Sequence, residues 1–185
     1  MATSDDVLTK VSTDGVWIIY CFIYEPFLWD YPTDNASVAA TEFVQSFYPA
    51  IQNNRAAIAS FYNQPTSTIL FNGNAVTDGN AVQDIFVNQM PPAHYEVQSF
   101  DCQIINQAFP TTTTAGTKPP NQKTVKDMSL LVMVSGYVRF GESRDLPQRG
   151  FSETFVLVPN PSADGGKGKR KKEWLIQTQN FRLVV

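Results

Sequence analysis

The amino-acid sequence predicts an α+β domain, with helices packed on one face of a strongly bent antiparallel sheet. Apolar residues recur at helical spacing between residues 36 and 52, whereas only strand-like segments remain after Tyr95. A third observation is the run SLLVMVSGYVRF (129–140), which alternates cleanly yet is apolar on both alternating sets. Leu130, Val132, Val134, Val138 and Phe140 share one face of such a strand, and Leu131, Met133 and Tyr137 the other, because successive side chains point to opposite sides. A half-solvated sheet normally pairs an apolar face with a polar one. This strand is therefore either sandwiched inside the fold or offers an apolar face to a partner.

In chain order, residues 1–14 are read as the start of the first helix and residues 15–35 (GVWIIYCFIYEPFLWDYPTDN) as an apolar insertion in it. The unbroken apolar part, Val16 to Tyr24, is shorter than the roughly 20 residues that span a bilayer, and Glu25 and Pro26 break it. With residues 15–35 left out, Val7, Val11, Ala36, Ala39, Phe43 and Phe47 fall at intervals of three and four, one uninterrupted amphipathic helix. The insertion is accordingly expected to be a translated intron rather than part of the working protein.

Ala36 to Gln52 then carries the helical pattern, and Pro49 is expected to bend or end it. Ala56 to Tyr62 reads as a second helix with Ile58, Phe61 and Tyr62 inward. Thr66 to Phe71 changes to strand composition, and Asn72-Gly73 is a hairpin turn because Gly tolerates positive φ. Asn80 is expected to cap a short helix, Ala81 to Asn88, with Gln83 as its reciprocal partner, until Met90-Pro91-Pro92 stops it. Strands are expected at Tyr95 to Asn106, Ser129 to Glu142, Gly150 to Pro159 and Glu173 to Val185. Residues 111–126 and 160–172, rich in Thr, Pro, Gly and Lys, read as mobile loops.

With 185 residues, 43% hydrophobic and 17% charged, the chain has the composition of a soluble single domain that buries roughly 70% of its unfolded surface. A net charge of -3 gives no whole-molecule attraction to nucleic acid. Cys21 and Cys102 are too few for a disulfide framework or a metal site, which fits a reducing compartment. Neither an internal repeat nor a secretory signal is recognisable.

The segments FNGNAVTDG, FDCQII, SLLVMVSGYVRFGE, RGFSETFVLVP and WLIQTQNFRL, in that order, resemble the nuclear transport factor two-like family. The similarity is greatest to its branch of small subunits of heterodimeric mRNA export receptors, the related export proteins. It covers about Ala36 to Leu183 outside the two loops, so residues 36–185 are read as one domain of this family. The resemblance implies a cone of three helices on a bent sheet. It also implies a non-catalytic subunit whose outer sheet face joins a domain of the same fold in the large receptor subunit, which takes messenger ribonucleoprotein through the nuclear pore. Contact with pore proteins would run chiefly through that subunit, with the heterodimer in the nucleus and at the pore, shuttling to the cytoplasm. No cofactor, metal or membrane contact is expected.

The same resemblance implies a role for Asp101. Related small subunits carry an Asp before a Cys in this strand, and it pairs with an Arg of the large subunit. By alternation Asp101 lies with Ser99 and Gln103, opposite Phe100 and Cys102. Leu131, Met133, Ser135, Tyr137 and Arg139 form the outward set of the two-sided strand, an aromatic, a Met and an Arg with few carboxylates, which has the composition of an interface core. Gln177 and Gln179 share a face of the last strand and are read as interchain amides or edge caps. The alternatives are a solvated edge for Asp101 and local bulges that exchange the faces. Lys167, Lys169, Arg170, Lys171 and Lys172 form a basic run in a loop; solvation is the default, and auxiliary, salt-sensitive RNA contact the functional expectation.

The fold also hosts isomerases and dehydratases, whose cavity holds an acid or base. Here His94 follows Pro91-Pro92-Ala93 and reads as a solvated turn residue, while Glu153, flanked by Phe151 and Phe155, is the one carboxylate expected to point inward. No pair of titratable groups with separated pKa values can be assembled from these. The homodimeric carrier branch, which imports Ran-GDP, uses an acidic loop after the long strand, and Arg144 within Gly141 to Asp145 weakens that match.

Overall fold

The computed structural model describes residues 11–13, 16–18, 33–64, 68–105, 128–163 and 172–184. Short strands β1 (Val11–Thr13) and β2 (Val16–Ile18) precede helix α1 (Thr33–Asn53) and a 3-10 turn (Arg55–Phe61). The hairpin β3 (Thr68–Phe71) and β4 (Asn74–Val76) leads to helix α2 (Gly79–Asp84), extended by a π-helical turn (Ile85–Gln89). The long strands β5 (Ala93–Ile105), β6 (Ser129–Phe140), β7 (Arg149–Pro159) and β8 (Trp174–Val184) follow. They form one sheet in the order β1-β2-β5-β6-β7-β8-β3-β4. The sheet is mixed rather than wholly antiparallel, since β2 pairs with β5 and β3 with β8 in parallel.

Helix α1 lies on the sheet through a ring cluster: Phe43 and Phe47 stand 5.0 and 5.2 Å from Phe155, and Phe61 packs edge-on against both. The helix does not end at Pro49. Pro49 and Gln45 are both exposed, so the Gln45 carbonyl that loses its donor faces water, while buried Phe47, Tyr48 and Ile51 hold the helix down on either side. At the far end Arg55 gathers orphan carbonyls: Nη1 donates to Phe86 O (2.6 Å) and Met90 O (2.9 Å), and Nη2 to Pro91 O (2.7 Å).

The Asn72-Gly73 turn forms as expected, both residues having positive φ (49° and 85°). Helix α2 starts two residues earlier than the sequence suggested. Asp78, extended, accepts from Ala81 N at 2.9 Å, while Asn80 is exposed inside the helix and Gln83 instead accepts from Ala59 N. Val11–Thr13, expected to begin the first helix, is a strand paired with Val16–Ile18, and α1 begins only at Thr33. Within the full chain the two apolar pieces therefore pair with each other rather than with α1; the remainder of 15–35, like loop 111–126, lies outside the described residues.

Two bulges set the side-chain phase of the sheet. One lies in β5 between Val97 and Ser99, opposite Gly136, where a Cβ would stand 2.1 Å from Glu96 O, so only glycine permits that approach. The other lies in β8, where Val156 pairs with Thr178 but Leu157 with Ile176, leaving Gln177 over.

Candidate partner interface

The alternation of β6 is uninterrupted. Leu130, Val132, Val134 and Val138 are buried beneath the helices and Phe140 packs at the margin of that core, whereas Met133 and Tyr137 are 44% and 46% exposed on the outer face. The neighbouring strands extend this face in rows across the sheet. Asp101, Met133, Thr154 and Asn180 lie side by side, as do Ser99, Ser135, Ser152 and Arg182, and then Glu96, Tyr137, Gly150 and Val184. Gln103 and Leu131 begin a further row, while Arg139 pairs with His94 at the other end.

The bulge at Val97/Ser99 exchanges the phase of β5 so that Phe100 is buried and Asp101 faces outward with Ser99 and Gln103, as alternation from Phe100 required. Asp101 is half-buried, and its Oδ1 accepts from Cys102 N at 2.8 Å. The Ser99 and Ser135 hydroxyls bond at 2.8 Å. Among the described residues, two buried side-chain polar atoms make no hydrogen bond, Arg139 Nε and Asn180 Oδ1. Both belong to this part of the sheet. An unsatisfied buried group costs about 1–3 kcal/mol.

Gln179 does not belong to this face. It is 1% exposed in the core, where Tyr62 OH donates to its Oε1 (2.5 Å) and its Nε2 donates to Glu153 Oε1 (2.5 Å). The β8 bulge is the reason: Trp174 and Ile176 point inward before it, Gln179 and Phe181 after it, so the two glutamines do not share a face. Gln177, half-buried at the bulge, accepts from Asn63 Nδ2 at 2.5 Å. Asn180, Arg182 and Val184 take the outward places that the sequence reading gave to the glutamines. The signal for them lay in β7, where Ser152 and Thr154 alternate with Phe151, Glu153 and Phe155.

Lys172 is not a free loop cation. Its Nζ sits 3.4 Å from the centroid of the Phe61 ring and donates to Ser60 Oγ, and partial burial lowers its pKa. Lys167, Lys169, Arg170 and Lys171 lie outside the described residues. Lys172 also borders an open groove of about 420 Å³ between α1 and the start of β8, floored by Phe43 and Trp174.

Glu153 points inward as expected, and the structure surrounds it with groups that the sequence did not reveal. Tyr48 OH donates to Oε2 (2.6 Å), and Gln179 to Oε1. Burial pushes its pKa up to about 7 against these two bonds, and burial likewise raises Tyr48, Tyr62 and Tyr95. His94 is exposed, in β5 rather than in a turn, and faces the outer side, so the sheet separates it from Glu153. Both carboxyl oxygens are taken up by the protein itself, which makes this cluster a tie between α1, β7 and β8. Among the described residues no group of three His, Cys, Asp or Glu could hold a metal ion, and no helix is long and apolar enough to cross a membrane.

Comparison with known proteins gives a consistent picture. The nuclear transport factor 2 (NTF2) domain pattern matches residues 39–182. The chain is 29% identical over 150 residues to NTF2-related export protein 2 of Homo sapiens, covering 81% of this chain and 88% of that protein. A chain of the solved complex of the Chaetomium thermophilum Mex67 NTF2-like domain with Mtr2 superposes with a TM-score of 0.63 at 25% identity, covering 80% of this chain and 98% of that one. A chain of Mex67:Mtr2 with a bound Sac3N peptide gives the same TM-score at 23% identity, covering 80% and 99%.

Proposed function

The chain belongs to the NTF2 domain family, and from that premise we propose that it is the non-catalytic small subunit of a heterodimeric mRNA export receptor. Its outer sheet face docks on a related domain of the large subunit and stabilises that subunit for passage of messenger ribonucleoprotein through the pore. The observation that carries this reading is the incomplete outer face, where exposed Met133 and Tyr137 lie among Asp101, Asn180 and Arg139. Asp101 on β5 and Arg182 on β8 stand near opposite edges of the face, so a partner of the same fold would place a cation against the first and a carboxylate against the second. The kinship with export proteins and with chains of Mex67:Mtr2 complexes supports the choice of partner.

In this reading the heterodimer works in the nucleus and at the pore and shuttles to the cytoplasm, with pore proteins bound mainly through the large subunit. Lys167, Lys169, Arg170 and Lys171 supply auxiliary phosphate contact to RNA, while Lys172 braces the loop base on Phe61. The test is co-expression and co-purification with the large receptor subunit from the same source. A stoichiometric heterodimer is expected; recovery as a stable homodimer that ignores the large subunit would favour the Ran-GDP carrier reading instead.

A further inference from the structure

Glu153 and Gln179 face the core, yet each is the chain neighbour of an outer-face residue, Thr154 and Asn180, which pair across β7 and β8. The inner hydrogen bonds and the outer row therefore share one stretch of backbone. Glu153 Oε2 takes the Tyr48 hydroxyl at 2.6 Å, Oε1 takes Gln179 Nε2 at 2.5 Å, and Gln179 Oε1 takes the Tyr62 hydroxyl at 2.5 Å. This bond from Gln179 fixes the strand phase just past the β8 bulge. A slip by one residue there would turn Asn180 and Arg182 inward.

The donor count ties this lock to a proton. Tyr48 comes from α1, Tyr62 from the end of the 3-10 turn and Tyr95 from β5, while Val134 and Phe181 flank Glu153 across β6 and β8. Among the described residues none of the hydrogen bonds to Glu153 comes from a cation, and Arg55, which faces Tyr95, spends its donors on the carbonyls of Ile51, Phe86, Met90 and Pro91. As a carboxylate, Glu153 satisfies both donors but leaves a buried charge uncompensated. As a carboxylic acid it sheds the charge, but its O–H must turn to an oxygen that is already a donor, and one hydroxyl hydrogen in the cluster loses its acceptor. Each protonation state thus carries one defect.

We propose that Glu153 is a proton-operated positioning residue beneath the partner face, its ionised form locking β7 and β8 in the phase that presents Thr154, Asn180 and Arg182. Its importance for partner binding rests on the proposed function; the lock itself is a property of this chain. The test follows backbone amide signals of Ser152, Thr154, Asn180 and Arg182 by NMR between pH 5.5 and 8.5, on the soluble protein alone or in complex. The four amides are expected to shift together with a midpoint near 7, and the shift to vanish in Glu153→Gln. In Tyr48→Phe, which keeps the ring but removes a bond that lowers the pKa, the midpoint is expected to move upward. Static amides in the native protein, or the same titration in Glu153→Gln, would overturn the proposal. Should Glu153→Gln not fold, an unmoved midpoint in Tyr48→Phe overturns it equally. Neither readout requires the large subunit, so failure to bind that subunit would count against the proposed function alone.

Discussion

On the inner face of the sheet Gln179 accepts a hydrogen bond from Tyr62 and donates one to Glu153, whereas on the outer face its neighbour Asn180 keeps a buried Oδ1 that bonds to none of the described residues. The two faces also differ in packing. Inside, Phe43, Phe47, Phe61 and Phe155 interlock and the buried polar groups of the Glu153 cluster are tied to one another. Outside, Met133 stands exposed beside Asp101, Tyr137 is exposed two rows on, and among the described residues the Nε of Arg139 has no hydrogen-bond partner. A face that satisfies its own polar groups holds the fold together, and an exposed mix of Met and Tyr beside an Arg has the composition of an interface core.

The sharpest way to separate the faces is to remove an aromatic ring from each. Phe155→Ala should cost about 3–5 kcal/mol of folding stability in denaturant unfolding, from lost burial and the cavity left behind. Tyr137→Ala should change stability by no more than about 0.5 kcal/mol; a large loss there would mean that the outer face is part of the core. Next in size, Tyr137→Arg combined with Asp101→Arg should weaken partner binding by about 2–5 kcal/mol, read by titration calorimetry, while the melting temperature of the free chain holds. A partner that binds this double variant as well as the native chain docks elsewhere.

A smaller effect tests the inner face by pH. The folded pKa of Glu153 lies above its unfolded value, so the folded state holds the extra proton, and this contribution is fully present below the ordinary Glu range. It is lost as the pH rises to about 7, with a slope of at most about 1.4 kcal/mol per pH unit. Glu153→Gln should remove that slope from stability curves measured between pH 4.5 and 8, and an identical slope in both proteins would show that Glu153 is not the titrating group. A further small change is expected in Lys172→Met, which gives up the charge over Phe61 at a cost of about 0.5–1 kcal/mol in thermal unfolding.

Much of the outer face was legible because β6 contains no bulge: one strand with strict alternation reveals both of its faces, and Met133, Ser135 and Tyr137 fell where the pattern put them. Asp101 was legible from Phe100 and Cys102, its nearest neighbours, since the β5 bulge lies before them. The last strand misled for the complementary reason. WLIQTQNFRL offers two amides two residues apart, and period-2 reading places both on one face, but the extra residue at the bulge separates them. Period-2 reading therefore misses Asn180 and Arg182 and makes Gln179 an interchain amide or an edge cap, whereas its partners are Tyr62 and Glu153.

From the sequence alone follow the order of helices and strands from α1 onward, the Asn72-Gly73 turn and the two-sided character of β6, because each depends on residues a few positions apart. Tertiary structure alone decided the passage of α1 through Pro49, the phase of β8 and the company of Glu153. These rest on contacts between residues far apart in the chain. Tyr48 and Glu153, or Tyr62 and Gln179, meet only once the helices have docked on the sheet, and no local periodicity records such a meeting.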